Sequence, residues 1–232
     1  MDTYRELILQ YSSRNKSFGL TDLWGWLSSK GMTVRNTMNC MLSKMVEEGD
    51  IVRIARGRYA AWEDKNTFGV ELTKSEVRMA KMLMARFPFA PVCVYNGSVF
   101  SPLQHHLSDN RMTYIETDRS AVEAFFDCIR EKTERVWLMP DADMLHKYVD
   151  LSKGGIIVKP LVTEAPLQET DGVKTPTLEK LLVDIRKDAD FSYLQGTEAD
   201  RMWEYANTLF NINLTRLKRY AKRRGLKLEY DT

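Results

Sequence analysis

Arg35, Asn39 and Ser43 stand four residues apart and Asn36 three before Asn39, so they share one face of a helix. Their chemistry is that of base reading. A guanidinium pairs bidentately with guanine, and an asparagine amide with adenine, at the edges exposed in the major groove. Arg53, Arg56 and Arg58 crowd around Gly57, where a hairpin tip would hold them near phosphates or the minor groove. A second basic group lies far along the chain. From Leu214 to Leu228 the ionised residues are Arg216, Lys218, Arg219, Lys222, Arg223, Arg224 and Lys227, with no acid among them. Helical spacing turns Arg216, Arg219, Lys222 and Arg223 outward, a candidate second surface for an anion or an acidic partner. The plainer alternative is a solvated helix whose positive charge complements its own C-terminal dipole.

Elements of the right kind surround the first group. Tyr4, Leu7, Ile8 and Tyr11 make one apolar face of a helix from Asp2 to Ser12. Leu20, Leu23, Trp24 and Leu27 make a second, with Thr21 as its expected cap, and Ser28-Ser29-Lys30-Gly31 breaks it. Thr33 is expected to cap a third helix running to Gly49, with Val34, Met38, Met41, Leu42 and Met45 as its buried stripe. Ile51–Ile54 and Arg58–Trp62 read as strands joined at Ala55-Arg56-Gly57. Three helices and a hairpin in this order predict a winged helix-turn-helix over residues 1–65. The same unit used for protein contact is the competing reading, since residues 1–65 hold ten bases against eight acids, modest for a DNA reader.

Beyond Asp64-Lys65-Asn66 the pattern changes. Thr73 with Glu76 forms a capping box before a helix to Phe87. Strand candidates at Pro91–Tyr95, Met112–Glu116, Arg135–Met139 and Gly155–Leu161 alternate with helix candidates at Val99–Leu107, Ser120–Lys132 and Ala142–Tyr148. Glu164–Thr175 reads as a loop, and helices at Thr177–Lys187, Thr197–Phe210 and Leu214–Arg224 follow. The expected architecture is mixed α/β (α+β): the winged unit, then an α/β domain over residues 66–232 with a helical C-terminal part.

Catalytic chemistry fares less well. Gly97-Ser98 after a strand is how a nucleotidyltransferase site begins, but the paired Asp-x-Asp needed to hold two metal ions is absent at Ser108-Asp109-Asn110-Arg111. The Asp141-Ala142-Asp143 triplet is far downstream and reads as the acidic start of a helix. A restriction-type nuclease wants an acid two residues before its strand lysine, and before Lys159 stands Ile157. His105-His106 has no acid or cysteine at ligand spacing. No catalytic residue, metal or cofactor is therefore expected. A divergent metal-dependent nuclease with a winged targeting domain is the alternative.

The 232 residues carry 34 Lys+Arg and 32 Asp+Glu, so the basic C-terminal group is hidden in a net charge of +2. With 44% hydrophobic residues the chain is not disordered, and its apolar runs are too short to span a membrane. Cys40, Cys93 and Cys128 are odd in number and far apart, which argues against a disulfide framework and for buried thiols. No secretory leader is expected at Met1-Asp2-Thr3-Tyr4-Arg5-Glu6, and the expected compartment is the cytoplasm.

Gly57-Arg58-Tyr59-Ala60 closes the winged unit, and Val92-Cys93-Val94-Tyr95-Asn96-Gly97-Ser98 opens the α/β domain. Thr175-Pro176-Thr177-Leu178-Glu179-Lys180-Leu181-Leu182-Val183-Asp184 follows, and Asn213-Leu214, Leu217, Tyr220-Ala221 and Gly225 mark the last helix. In this order the chain resembles the AbiEi-like antitoxins of prokaryotic type IV toxin–antitoxin systems over nearly its full length. The resemblance implies a winged helix on double-stranded operator DNA and a C-terminal domain opposing a cognate toxin of nucleotidyltransferase type. It supplies no catalytic residue.

Overall fold

The computed structural model describes residues 2–15, 17–55, 57–61, 67–104 and 109–227. The first elements are α1 (Asp2–Arg14), β1 (Phe18–Gly19), α2 (Leu20–Ser29), α3 (Arg35–Glu48), β2 (Ile51–Ala55) and β3 (Arg58–Ala61). The helices and the hairpin are those expected, with the short β1 added. Its pairing of Phe18 with Tyr59 and Gly19 with Arg58 makes a three-stranded antiparallel sheet in the order β1-β3-β2. Ile8, Leu23, Leu27, Met38, Leu42 and Met45 are wholly buried in one core beneath it. Arg5 pins α1 to the end of α3, reaching Glu48 at 2.6 Å and Asp50 at 2.5 Å.

Two expected caps do not form. Helix α2 begins at Leu20 after Gly19, and α3 begins at Arg35 after Val34, neither with a side-chain cap. Val34, expected inside, is half exposed because it is the extended residue before the helix starts and so does not turn with its buried stripe. Gly31 ends the α2 turn at φ +88°, a left-handed conformation that suits glycine.

The second sheet has six strands in the order β6-β7-β5-β4-β9-β8. They are β4 (Cys93–Asn96), β5 (Met112–Thr117), β6 (Val136–Leu138), β7 (Gly155–Pro160), β8 (Leu167–Thr170) and β9 (Val173–Pro176). The segment expected as a loop is thus a hairpin, β8–β9, turning at Asp171-Gly172, both at positive φ. Its strands are short and polar, so apolar alternation could not betray them. Between and after the strands lie α4 (Lys74–Arg86), α5 (Val122–Arg130), α6 (Ala142–Tyr148), α7 (Leu178–Asp184), α8 (Thr197–Leu209) and α9 (Leu214–Arg223). The helix expected from Val99 is a 3₁₀ turn, Gly97–Leu103, with Pro102 inside it.

Strand alternation divides the core into two layers. Val92, Val94, Ile115, Ile156 and Val158 face α4 and α5, while Cys93, Tyr95, Met112, Tyr114 and Ile157 face α7, α8 and α9. The architecture is therefore mixed α/β, with helices on both faces of this sheet. The Thr73 capping box forms as expected, with Glu76 N–H donating to Thr73 Oγ1 at 3.2 Å and Thr73 N–H to Glu76 Oε2 at 2.7 Å. Asp141 caps α6 by accepting from Met144 N–H at 2.8 Å. No helix among the described residues is long and apolar enough to cross a membrane. The boundary expected at Asp64-Lys65-Asn66 lies outside the described residues.

Candidate nucleic-acid interface

Helix α3 is anchored by one face and open on the other. Met38, Met41, Leu42 and Met45 lie in the core, while Arg35, Asn36, Asn39 and Ser43 are exposed. Among the described residues the side chains of Arg35, Asn36 and Asn39 make no hydrogen bond or ion pair, so nothing competes with an incoming partner. Ser43 folds back on its own helix, donating to the Asn39 carbonyl at 3.1 Å. On the hairpin, Arg58 is exposed and reaches Ser17 Oγ at 3.2 Å. Arg53 is exposed on β2, and Arg56 lies outside the described residues.

The structure brings part of this set to the second basic group. Helix α9 packs against β2, and Ser43 and Arg53 line one cleft with Arg216 and Arg219. Arg35, Asn36 and Asn39 lie one to two turns nearer the start of α3 and do not line that cleft. On α9 Leu217, Tyr220 and Ala221 are buried and Leu214 half-buried, while Arg216, Arg219, Lys222 and Arg223 are exposed, as their spacing predicts. All three outer arginines have partners inside the chain. Arg219 pairs with Glu164 at 2.6 Å, Arg223 Nε donates to Thr163 Oγ1 at 2.9 Å, and Arg216 stands 3.5 Å from Glu179.

Arg224, which the sequence names only as one of the basic run and not in the outward set, turns inward, 3.0 Å from Asp184 and also paired with Asp188. There it joins a buried charge cluster that sequence spacing did not disclose. Lys180 of α7 binds Glu116 of β5 at 2.7 Å and Asp184 at 2.6 Å. Lys159 of β7 binds Asp188 at 3.0 Å and Asp190 at 2.6 Å. Tyr95 donates to Glu116 and Tyr220 to Asp184, each at 2.9 Å. Burial pulls the Lys159 ammonium down, but the surrounding Asp188, Asp190 and Glu116 charges outweigh it and hold it protonated. Burial pushes the Asp188 carboxyl up, and Lys159 and Arg224 overcome this and bring it to about 2.

The acid sought beside Lys159 comes from the neighbouring strand, since Glu116 and Lys159 pair in register across β5 and β7. Its two oxygens are taken by Lys180 and Tyr95. An ion would have to displace both donors, so the cluster works as a polar core and not as a metal-binding acid set. Among the described residues no group of three acids, histidines or cysteines is placed to hold a metal ion. The histidine pair, His105 and His106, lies outside the described residues. Cys93 and Cys128 are buried, as expected of structural thiols, while Cys40 is exposed on α3.

The chain has no match among curated proteins. A family model described as a family of unknown function, DUF6577, matches residues 37–231, which takes in most of α3, the hairpin and the whole six-stranded sheet. The chain belongs to that family.

Proposed function

We propose that the protein is a DNA-binding antitoxin and transcriptional autoregulator of a prokaryotic toxin–antitoxin system, acting in the cytoplasm on its own operator. The observation that carries the DNA part is the division of α3. Four buried side chains fix the helix in the core, and Arg35, Asn36 and Asn39 stand exposed and unpartnered among the described residues. In this reading residues 1–65 are a winged helix-turn-helix, with α2 and α3 as the two helices and β2–β3 as the wing. The start of α3 enters the major groove, and Arg58 meets phosphates beside it. The toxin part rests on the resemblance to the AbiEi-like antitoxins. The exposed bases of α9 are the surface offered to an acidic face of the toxin or to further phosphates.

Binding to the DNA upstream of the protein's own gene tests this. Arg35→Ala or Asn39→Ala should relax preference at one base pair, at a cost of about 1–3 kcal/mol each. Arg58→Ala should weaken all duplexes alike and flatten the salt dependence. Helix variants that bind that DNA as the parent does would sink the assignment.

A further inference from the structure

The cleft between α3–β2 and α9 is large for a simple seam between packed elements. Its volume is about 610 Å³, and an adjoining groove of about 380 Å³ shares Val46, Glu47, Arg53, Asn213 and Arg216 with it. Sites for small molecules fall in the range of about 300–1,000 Å³ and combine apolar walls with a few converging polar groups. Val46, Tyr59 and Pro166 supply the walls here, and Ser43, Asn213 and Thr215 the neutral polar groups.

The charges in the cleft are only partly matched. Glu164 is satisfied by Arg219, which gives it two hydrogen bonds at 2.6 and 3.2 Å. Arg216 leans toward Glu179 at 3.5 Å, longer than the roughly 2.7–2.9 Å of a well-made charged hydrogen bond. Arg53 and Glu47 line the same cleft and have no side-chain partner among the described residues, each other included. The cleft thus offers a pair of underused guanidiniums and a separate carboxylate. Its complement is a molecule with an anionic end for the arginines and a hydroxyl or amino donor for the acid.

We propose that this cleft binds a small phosphomonoester carrying hydroxyl or amino donors, of the size of a nucleoside monophosphate. Arg53 and Arg216 fork onto the phosphate, Glu47 accepts from the donor, and Tyr59 and Val46 pack the body. Glu47 and Ser43 belong to α3 and Arg53 to β2, whereas Arg216 belongs to α9. The ligand therefore clamps the N-terminal unit to α9. That this clamp alters operator affinity rests on the function proposed above; the binding itself does not.

Calorimetric titration of the full chain with the four ribonucleoside 5′-monophosphates tests the site, with adenosine and inorganic phosphate as partial probes. At least one monophosphate should bind with one-to-one stoichiometry, and both partial probes more weakly. Glu47→Gln and Arg216→Gln should each weaken that binding by about tenfold or more. Glu47→Gln should leave binding to unliganded operator DNA unchanged, which separates this site from base reading. The proposal is overturned if no monophosphate binds at millimolar concentration, or if both variants, shown folded by circular dichroism, bind like the parent. It is also overturned if Arg216→Gln weakens only a DNA duplex, because the cleft is then a phosphate track. A gel shift that fails while the nucleotide titration succeeds would sink the DNA reading and leave this site standing.

Discussion

Replacing Lys180 by methionine keeps an unbranched side chain, one atom shorter, at the centre of the buried cluster and removes its charge. Lys180 is about 1% exposed and holds two carboxylates, Glu116 at 2.7 Å and Asp184 at 2.6 Å, themselves 2% and 1% exposed. Removing one partner of a buried pair costs about 3–5 kcal/mol, because the orphaned charge has no water to turn to. Here Tyr95 still donates to Glu116, and Tyr220 and Arg224 still donate to Asp184, so the loss belongs at the low end, about 3 kcal/mol. At about 2–4 °C per kcal/mol for a chain of this size, the melting temperature should fall by about 6–12 °C. Urea unfolding followed by circular dichroism reads the change as a shift in midpoint with an unaltered slope. Two further arms separate charge from packing. The deficit should narrow as pH falls from neutrality, because a carboxylate left unpaired takes up a proton. Adding Glu116→Gln to Lys180→Met should recover part of the loss. A loss below about 1 kcal/mol, or one insensitive to both pH and the second change, would refute the view that charge pairing locks α7 to β5.

The Asp188 carboxyl, held at about 2 by Lys159 and Arg224 against its burial, makes stability depend on acid. Its contribution, about 2 kcal/mol, is present above the ordinary carboxylate range near pH 4 and is lost as pH falls through about 2. Asp188→Asn should flatten the acid limb of an unfolding series over that interval. A Cβ on Gly97 would lie 2.2 Å from Asn110 Cγ, and Asn110 is held by the hydroxyls of Tyr114 at 2.9 Å and Tyr193 at 2.7 Å. Gly97→Ala should therefore destabilise by about 1–3 kcal/mol in thermal melts, and Gly172→Ala, where nothing crowds the added atom, should show only its smaller backbone strain. Thr73→Ala removes the capping box of α4 and should cost about 1 kcal/mol in the same assay.

The helices of the N-terminal unit were legible because each shows a clean 3.6-residue stripe, as Met38, Met41, Leu42 and Met45 do on α3. Its β1 was not, because a strand of two residues has no periodicity to read. The hairpin at Leu167–Pro176 was hidden by its polar faces, although Asp171-Gly172 is the kind of pair that turns a hairpin. The surface of α3 could be named from residue types, since exposure follows from the stripe opposite. The buried cluster could not, because its members come from β5, β7, α7, the turn after α7 and the end of α9. Lys180 and Asp184 stand four apart in Leu178–Asp184, a spacing that by itself reads as a solvated ion pair on a polar helix face. The structure instead buries every residue of that helix, so the pair lies in the core.

The proposed base-reading role of α3 is tested most directly by equilibrium binding to the protein's own upstream DNA and to a shuffled duplex of the same composition, across a salt series. The expected result is a preference of about 10³ or more for the upstream sequence that persists as salt rises, on top of a common fall in affinity with salt for both duplexes. Equal affinity for the two duplexes at every salt concentration, or no binding to either at low salt, would contradict it.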